Sequence, residues 1–340
     1  MPEVQTVTYA GAVNAALRRV LTELPQTLVY GEDIGKPGGV FGVTRGLKRD
    51  FGHRVFDTPI SESAILGSAL GAAMFGRRPI VEIMWADFTL VAFDQIVNQI
   101  SNARYVSFGQ VRAPLVIRTQ QGAAPGACAQ HSQSLEAFFL HTPGLRVVMP
   151  STAQDAFDAI VTATYSDDPV VVIENRTLYL GAKEEIVTDA PPREMGTAAL
   201  RRTGDAATVL SWGAMTRRVE AAADLAAAQG VNVDVIEARW LNPFDLMALL
   251  ASVRRTRRLL VVHEANVTGG FGGELLAQVA ESDVPLDAAP VRLGLADTRM
   301  PAAPALASAL IPSVDRILSA IVKLAGAPAR APFLNPVGVR

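Results

Sequence analysis

The chain has 340 residues, of which 49% are hydrophobic and 19% are charged, so it is long enough to form two domains. Its formal net charge of −2 gives no electrostatic reason to expect nucleic acid or an anionic membrane as a partner. A single cysteine, Cys128, excludes an intramolecular disulfide.

The N-terminal segment, MPEVQTVTYAGAV, has no basic region that leads into an apolar run, which argues against a secretory signal. No uninterrupted apolar stretch approaches the roughly 20 residues that a membrane helix needs. We therefore expect a cytoplasmic protein without a membrane segment.

The first half of the chain alternates short apolar runs with longer amphipathic stretches. The runs are rich in β-branched residues and lie at 27–33, 79–85, 114–119, 145–151 and 169–174. Continuous hydrophobicity of this kind is typical of strands buried on both faces of a parallel sheet. Residues 1–185 are therefore predicted to form an α/β domain.

Charged residues and prolines interrupt this pattern in the stretch KEEIVTDAPPREMG. They predict an interdomain linker at 186–205, with an extended edge segment as the alternative. The alternation of strands and helices then starts again, which predicts a second α/β domain at 206–328 and a C-terminal tail at 329–340. The predicted fold class is thus α/β, with two parallel-sheet domains.

Common catalytic motifs do not occur in the sequence. It contains no GxxxxGK[ST], no GxGxxG between a strand and a helix, and no GxSxG. The four histidines and Cys128 do not have the spacing of metal ligands. Any chemistry must therefore come from residues outside these motifs.

The stretch VFDTPISESAILGSALGAAM (55–74) places Glu62 in the first turn of a predicted helix. A carboxylate in that position is often only a favourable partner of the helix dipole, which contributes about 0.3–1 kcal/mol. The apolar neighbours Phe56, Ile65 and Leu66 predict partial burial as well. Burial raises the pKa of a carboxyl and suits it to proton exchange, so Glu62 is a candidate catalytic residue.

Three histidines are candidates of different kinds. His131 lies in a polar loop before a predicted helix, where it either exchanges protons near neutral pH or only caps the helix. His141 precedes a turn and is interpreted as structural. His263 ends a predicted strand, and because strand carboxyl ends border ligand crevices in α/β sheets, both interpretations stay open for it.

Aromatic and glycine-rich segments give weaker indications of a binding site. Trp85 and Phe88 lie where a predicted strand ends, and their rings either stack on a flat heterocycle or fill the core. The segments GKPGGVFG (35–42) and TGGFGGE (268–274) form either anion-binding nests or ordinary tight turns.

Eight motifs occur in a recognisable order, namely GEDIG…GGVFGVTRGL, FDTPISE, VEIMWADF…AFDQIVNQ, AQHSQSLEAFF, HTPGLRVVMPS, DPVVVIEN, RWLNPFD and LLVVHEANVTGGFGGE. Together they resemble the beta subunit of thiamine-diphosphate-dependent 2-oxo acid dehydrogenases, a family with pyruvate, branched-chain 2-oxo acid and acetoin types. The resemblance extends from Val4 to Leu324. It implies a transketolase-like fold with a pyrimidine-binding domain and a C-terminal domain.

The resemblance also implies roles for four residues. Glu62, in the TPISE motif, matches the glutamate that bonds the N1′ atom of the cofactor's aminopyrimidine. Phe88 matches the aromatic residue that packs on the pyrimidine, and Ile60 is expected to line the same pocket. His131, in QHSQS, matches the histidine that handles protons during decarboxylation and acyl transfer.

Enzymes of this kind need a GDG motif to hold magnesium and the cofactor's diphosphate, and the sequence contains none. The resemblance therefore implies an alpha subunit that supplies the GDG motif and the magnesium site. The expected assembly is a heterotetramer with a second beta subunit, and it would serve a lipoyl-domain acyltransferase. Some relatives bind potassium through backbone carbonyls, for which Ala163, Ser166 and Asp168 are candidates.

The substrate is expected to be a 2-oxo acid, with a pyruvate-like acid favoured. The EIMWADF and AQHSQSLEAFF motifs resemble the pyruvate and acetoin types more than the branched-chain type, and Met84 stands where some branched-chain relatives carry a polar residue. An acetoin-cleaving enzyme, a transketolase-class ketol transferase or synthase, and a non-catalytic scaffold subunit are the alternatives.

Overall fold

The computed structural model describes residues 2–124 and 126–326 of the chain. The tail predicted at 329–340 lies outside these residues. The chain forms two α/β units in succession, and each unit is built on its own predominantly parallel sheet.

The elements of the first unit follow one another from the N-terminus to residue 187. They are β1 (Val4–Val7), α1 (Tyr9–Glu23), β2 (Thr27–Gly31), α2 (Leu47–Phe51), β3 (Val55–Asp57), α3 (Glu62–Met74), β4 (Arg78–Ile83), α4 (Ala86–Thr89), α5 (Ala103–Val106), β5 (Val116–Gln121), α6 (Glu136–Leu140), β6 (Arg146–Val148), α7 (Ala153–Tyr165), β7 (Val170–Asn175) and β8 (Glu184–Val187). A π-helix, Gln95–Ile100, lies between α4 and α5, and 3₁₀-helices occur at Gly52–Arg54 and Arg176–Leu178.

The second unit contains the remaining elements. They are β9 (Ala199–Arg202), β10 (Thr208–Ser211), α8 (Ala214–Ala227), β11 (Asp234–Glu237), β12 (Trp240–Asn242), α9 (Leu246–Thr256), β13 (Leu259–Asn266), α10 (Phe271–Glu281), β14 (Val291–Leu295), α11 (Pro304–Leu310) and α12 (Val314–Ala325).

The first sheet has the strand order β12-β6-β7-β5-β4-β2-β3. All neighbouring strands in it are parallel except β12, which pairs with β6 in the antiparallel direction. Every residue of the central strands β5 and β7 is buried, because α1 and α7 cover one face while α3 and the π-helix cover the other. The prediction of a parallel sheet from continuous apolar runs is therefore confirmed.

Short polar side chains set where several of these helices begin. Thr8 Oγ1 accepts a hydrogen bond from the N–H of Gly11 at the start of α1, and Thr152 Oγ1 accepts one from Asp155 at the start of α7. Each bond satisfies an amide that has no partner inside its helix.

The second sheet has the order β14-β13-β10-β11-β9, and only the edge strand β9 is antiparallel to its neighbour. The boundary prediction needs a correction here. The stretch predicted as a linker, 186–205, contains the end of β8 and all of β9. Because β8 pairs with β1 and β9 pairs with β11, residues 186–187 and 199–202 belong to strands, as in the alternative of an extended edge segment, whereas 188–198 contains no helix or strand.

Strand β12 joins the two units, because it follows β11 in the chain but pairs with β6 of the first sheet. Buried side chains cross the same boundary. Glu264, on β13, accepts hydrogen bonds from the N–H of Ala123 at 2.7 Å and from Asn175 Nδ2 at 2.8 Å. The second unit therefore contributes to the surroundings of the loop that follows β5.

An 18-residue window within Pro304–Ala325 has a mean hydropathy of 1.6, and the segment has the length to cross a membrane. In the structure it forms two helices, because α11 ends at Leu310 and α12 begins at Val314. Ile317, Ile321 and Leu324 of α12 are buried in the core of the second unit. Apolar composition alone is weak evidence for a membrane span, and here these residues serve packing.

Candidate active site

The residues predicted to carry chemistry lie at one edge of the first sheet, called here the site edge. Strands β3, β2, β4 and β5 are neighbours in this sheet and run in the same direction, so their carboxyl ends meet at that edge. Ile60 and Glu62 follow β3, Phe88 follows β4, and His131 lies on the loop after β5. Parallel pairing thus brings together residues that are far apart in the chain.

Glu62 is the first residue of α3 and is only 8% exposed. The adjacent Ser63 donates from Oγ to the carbonyl of Val91 at 2.9 Å, which ties the start of α3 to the turn after α4. The carboxylate therefore lies at a helix N-terminus, where the helix dipole favours negative charge.

Aromatic rings surround His131. Its imidazole meets the ring of Phe88 edge-on at a centroid distance of 5.4 Å and the ring of Trp85 at 5.3 Å. Phe41 stacks on Trp85 at 5.1 Å. Phe41 belongs to the glycine-rich segment 35–42, which was predicted to be an anion nest or a tight turn. This segment thus places an aromatic ring against Trp85, next to His131.

Ile60 differs from the other predicted site residues because its side chain is 82% exposed. Leu90 and Val91, in the turn next to Glu62, are also exposed. Contiguous exposed apolar side chains are typical of a surface that another molecule covers. Ile60 precedes the buried Glu62 in the chain, and the hydrogen bond from Ser63 holds Val91 next to it, so we call Ile60, Leu90 and Val91 the rim.

Glu32 is a site residue that the sequence analysis missed. It follows β2 directly, and its Oε1 atom is buried without a hydrogen-bond partner. Burial raises the pKa of the Glu32 carboxyl, and the charges of Glu62 and Asp33 raise it further. The sequence did carry a signal for Glu32, since it directly follows an apolar run, in the motif GED. Polar residues that follow parallel strands meet at the same edge of the sheet.

Buried polar atoms without a hydrogen-bond partner recur around the site edge. Within the described ranges they include atoms of Glu32, Thr58, Trp85, Ser132 and Ser134. Buried polar groups in folded proteins nearly always have partners, so their presence here fits a ligand with hydrogen-bonding groups.

His263 is not part of this edge. Its ring is fully buried in the second unit and stacks on Trp212 at a centroid distance of 5.3 Å. Burial lowers the pKa of His263 to about 4. A Cβ atom would come within 2.9 Å of the ring at three glycines that pack around it, Gly270, Gly272 and Gly294. This packing favours the structural interpretation of His263.

His141 caps the C-terminal end of α6 and is exposed. No hydrogen bond or ring contact connects it with Glu62 or His131 among the described residues. Its position at the surface agrees with the interpretation as structural.

Two family models match the sequence. "Transketolase, pyrimidine binding domain" matches residues 5–181, and "Transketolase, C-terminal domain" matches residues 196–317. Among curated relatives, the pyruvate dehydrogenase E1 component subunit beta of Leifsonia xyli subsp. xyli is 40% identical over 94% of this chain and 95% of its own. The chain belongs to the family of dehydrogenase E1 beta subunits.

Other members of the E1 beta family are named for a different activity. The acetoin:2,6-dichlorophenolindophenol oxidoreductase subunit beta of Cupriavidus necator is 38% identical, over 92% of this chain and 95% of its own. The protein of that name from Bacillus subtilis is 36% identical, over 96% of this chain and 99% of its own. Family membership therefore leaves the choice between these two activities open.

A solved structure described as a split gene transketolase, inactive beta4 tetramer, has the same fold as this E1 beta chain. It superimposes with a TM-score of 0.78 and covers 94% of this chain and 98% of its own. Its sequence identity is 23%, so the likeness bears on the fold alone. The predicted transketolase-like, two-domain architecture is confirmed.

The carbonyl groups proposed as potassium ligands already receive hydrogen bonds in this E1 beta chain. Arg78 Nη1 donates to the carbonyl of Ser166 at 2.7 Å and to that of Thr164 at 2.9 Å. The Asp168 carbonyl accepts from Ser166 Oγ at 2.9 Å, and the Ala163 carbonyl accepts from the N–H of Ser166. Each carbonyl oxygen keeps a second lone pair, and among the three candidates Arg78 bonds only the carbonyl of Ser166, so a potassium site at these residues stays a prediction.

Metal-binding side chains do not come together in the described ranges, 2–124 and 126–326. No group of three His, Cys, Asp or Glu residues there is placed to hold an ion. The expectation that an alpha subunit holds magnesium stays a prediction.

Proposed function

We propose that this chain is the beta subunit of a thiamine-diphosphate-dependent E1 enzyme that decarboxylates a pyruvate-like 2-oxo acid and passes the acyl group to a lipoyl domain. The observation that carries the proposal is the convergence of Glu62, Phe88 and His131 at the site edge. A parallel α/β sheet binds ligands at the carboxyl ends of its strands, and the matching family model is named for pyrimidine binding.

The residues fit the pyrimidine part of the cofactor. When bound, thiamine diphosphate supplies the reactive carbon and takes up the electrons released by decarboxylation. Glu62 would share a proton with the N1′ atom of the pyrimidine, a task that suits a carboxyl at a partly buried position. Phe88 would pack on the ring, and the buried Oε1 atom of Glu32, which has no hydrogen-bond partner, would supply a second polar contact.

His131 would hold or deliver the proton that moves during acyl transfer. Its imidazole is fixed between Trp85 and Phe88, and an imidazole exchanges protons at neutral pH. Because its neighbours are aromatic, water is displaced from two sides of the ring, which favours transfer to a bound acceptor over transfer to solvent.

The other half of the cofactor site belongs, in this proposal, to an alpha subunit. This chain has no GDG motif, and the rim of Ile60, Leu90 and Val91 is exposed beside Glu62. An alpha subunit with the GDG motif and magnesium would cover the rim, in a heterotetramer with a second beta subunit that serves a lipoyl-domain acyltransferase. We expect this assembly in the cytoplasm.

Acetoin cleavage is the second candidate activity, because two relatives that match more than nine-tenths of the chain are named acetoin:2,6-dichlorophenolindophenol oxidoreductase subunit beta. A substrate panel on the coexpressed alpha and beta chains separates the candidates. We expect the highest kcat/KM with pyruvate, then 2-oxobutyrate, with branched 2-oxo acids far behind. Acetoin as the preferred substrate would contradict the pyruvate assignment and leave the family assignment intact.

Replacement of Glu62 tests its catalytic role in the same complex. We expect Glu62→Gln to lower kcat by about 100-fold or more, since general acid–base groups contribute about 10²–10⁴-fold. Glu274→Gln is the matched control, because Glu274 also lies in the first turn of a helix but is exposed. Turnover near that of the parent enzyme in Glu62→Gln would show that another carboxylate does this work.

A further inference from the structure

We infer that Arg176 is a positioning residue that fixes the backbone of His131, an inference that rests on the proposed function. Arg176 begins the 3₁₀-helix after β7, and β7 is the neighbour of β5 in the first sheet. From there its side chain reaches the loop after β5. We call this loop, residues 122–124 and 126–131, the His131 loop.

One guanidinium group bonds both ends of the His131 loop. Arg176 Nε donates to the carbonyl of Gly122 at 2.7 Å, and Nη2 donates to the same carbonyl and to the carbonyl of His131. His131 lies outside helices and strands, so no regular backbone ladder holds it. The planar fork of fixed donors in arginine suits a bridge between two carbonyl oxygens, which a lysine ammonium does not reproduce.

Arg176 also contacts a ring that touches the imidazole. Its Cζ atom lies 5.7 Å from the ring centroid of Trp85, and Trp85 meets His131 edge-on. A cation over an aromatic face is an attractive contact. Arg176 therefore acts on His131 through the backbone carbonyl and through the neighbouring ring.

Two buried carboxylates flank this cation and bond to the same part of the chain. Glu264 accepts the N–H of Ala123 at 2.7 Å, and Asp87 accepts Nε2 of Gln133 at 2.9 Å. Their charges favour the cationic form of Arg176, whereas burial lowers the pKa of its guanidinium. One of the two carboxylates belongs to the second unit, so both units contribute to the placement of His131.

The expected consequence is a specific loss of proton transfer. A group that exchanges protons must lie within hydrogen-bond reach of its partner atom, and a displacement of about 1 Å costs about 100-fold in rate. Arginine keeps its proton at neutral pH. Arg176 thus contributes through His131 and not as an acid or base itself.

A double-mutant cycle in the coexpressed alpha–beta complex tests this coupling. We expect Arg176→Gln to lower kcat for lipoamide-dependent turnover by about 10- to 100-fold, with KM for the 2-oxo acid changed less than about threefold and Arg176→Lys intermediate. In the His131→Ala background, Arg176→Gln should change kcat less than about twofold. An equal loss in both backgrounds would overturn the inference.

Hydrogen exchange of the same complexes gives a readout that does not depend on activity. We expect Arg176→Gln to speed exchange in the peptide that covers the His131 loop, while exchange elsewhere stays the same. Arg202→Gln, which removes an arginine paired with Asp224 at the surface of the second unit, is the control and should change neither readout. Unchanged exchange in the His131 loop would also overturn the inference.

These experiments separate a failure of the proposed function from a failure of the inference about Arg176. If the parent complex turns over neither 2-oxo acids nor acetoin, the proposed function fails, whereas hydrogen exchange still reports on the contact between Arg176 and the His131 loop. If the parent complex is active and the cycle is additive, only the role of Arg176 fails.

Discussion

Glu62 and Glu32 are acidic side chains that interact at the site edge, because the charge of Glu62 adds to burial in raising the pKa of the Glu32 carboxyl. Glu62 could be proposed from the sequence because it starts a helix inside an apolar segment that matches a known motif. Glu32 was not proposed, although it follows an apolar run directly, because the burial of its carboxyl and its closeness to the charge of Glu62 are visible only in the structure. Phe41 was missed for the same reason, because a glycine-rich segment does not reveal which ring its backbone will place beside Trp85.

His263 predicts a pH dependence of stability. Its pKa is about 4 in the folded state and about 6.5 in an unfolded chain. Above pH 6.5 it is neutral in both states and contributes nothing. As the pH falls from about 6.5 to about 4, the unfolded chain binds a proton that the folded chain does not, so stability falls by about 1.4 kcal/mol per pH unit.

Urea unfolding at pH 7.5, 6 and 5 measures this effect as a difference between variants. We expect the free energy of unfolding of His263→Gln to fall less steeply with decreasing pH than that of the parent. The variant should be less stable at every pH, because the buried site no longer holds the imidazole ring. The exposed His141 provides the control, and His141→Gln should leave the slope unchanged. A slope in His263→Gln equal to that of the parent would contradict the assigned direction of the pKa.

Among the elements of the first sheet, the sequence predicted the strands that lie in long apolar runs and missed β3 and β12, which do not. The apolar runs became β2, β4, β5, β6 and β7 within a few residues. Strand β3 is three residues long. Strand β12 pairs with β6 of the first sheet, whereas β11 and β13, which flank it in the chain, belong to the second sheet. Such pairings depend on contacts between residues that are far apart in the chain, and the local periodicity of apolar residues does not predict them.

Gly144, in the turn before β6, is predicted to be essential for that turn. Its φ is +93°, and a Cβ atom there would lie 2.3 Å from the carbonyl oxygen of Ser101. Gly144→Ala should therefore lower the free energy of unfolding by about 3 kcal/mol, from the left-handed backbone and the clash together, as measured by urea unfolding.

Gly76 is the matched control for this substitution. It has a φ of +82°, but nothing lies within 4 Å of the position of its Cβ. Gly76→Ala should cost only about 1 kcal/mol, from the backbone conformation alone. Equal losses in the two variants would mean that the contact with Ser101 contributes nothing.

At the scale of the whole molecule, the sequence predicted two α/β units, and the structure adds how they are joined. Strand β12 of the second unit pairs with β6 of the first sheet, and Glu264 of the second unit bonds Ala123 in the His131 loop. Neither contact could be predicted from the sequence. Glu264 lies near the end of an apolar run, and nothing in the run indicates that its partners are Ala123 and Asn175 of the first unit.

In the proposed function this chain holds one half of a cofactor site: Glu62 and Phe88 bind the pyrimidine, and an alpha subunit binds the diphosphate. Titration calorimetry with thiamine diphosphate and magnesium tests it, first on this chain alone and then on the coexpressed alpha–beta complex. We expect a Kd of about 1 μM or below for the complex and binding weaker than about 1 mM for the chain alone. Micromolar binding by the chain alone would contradict it.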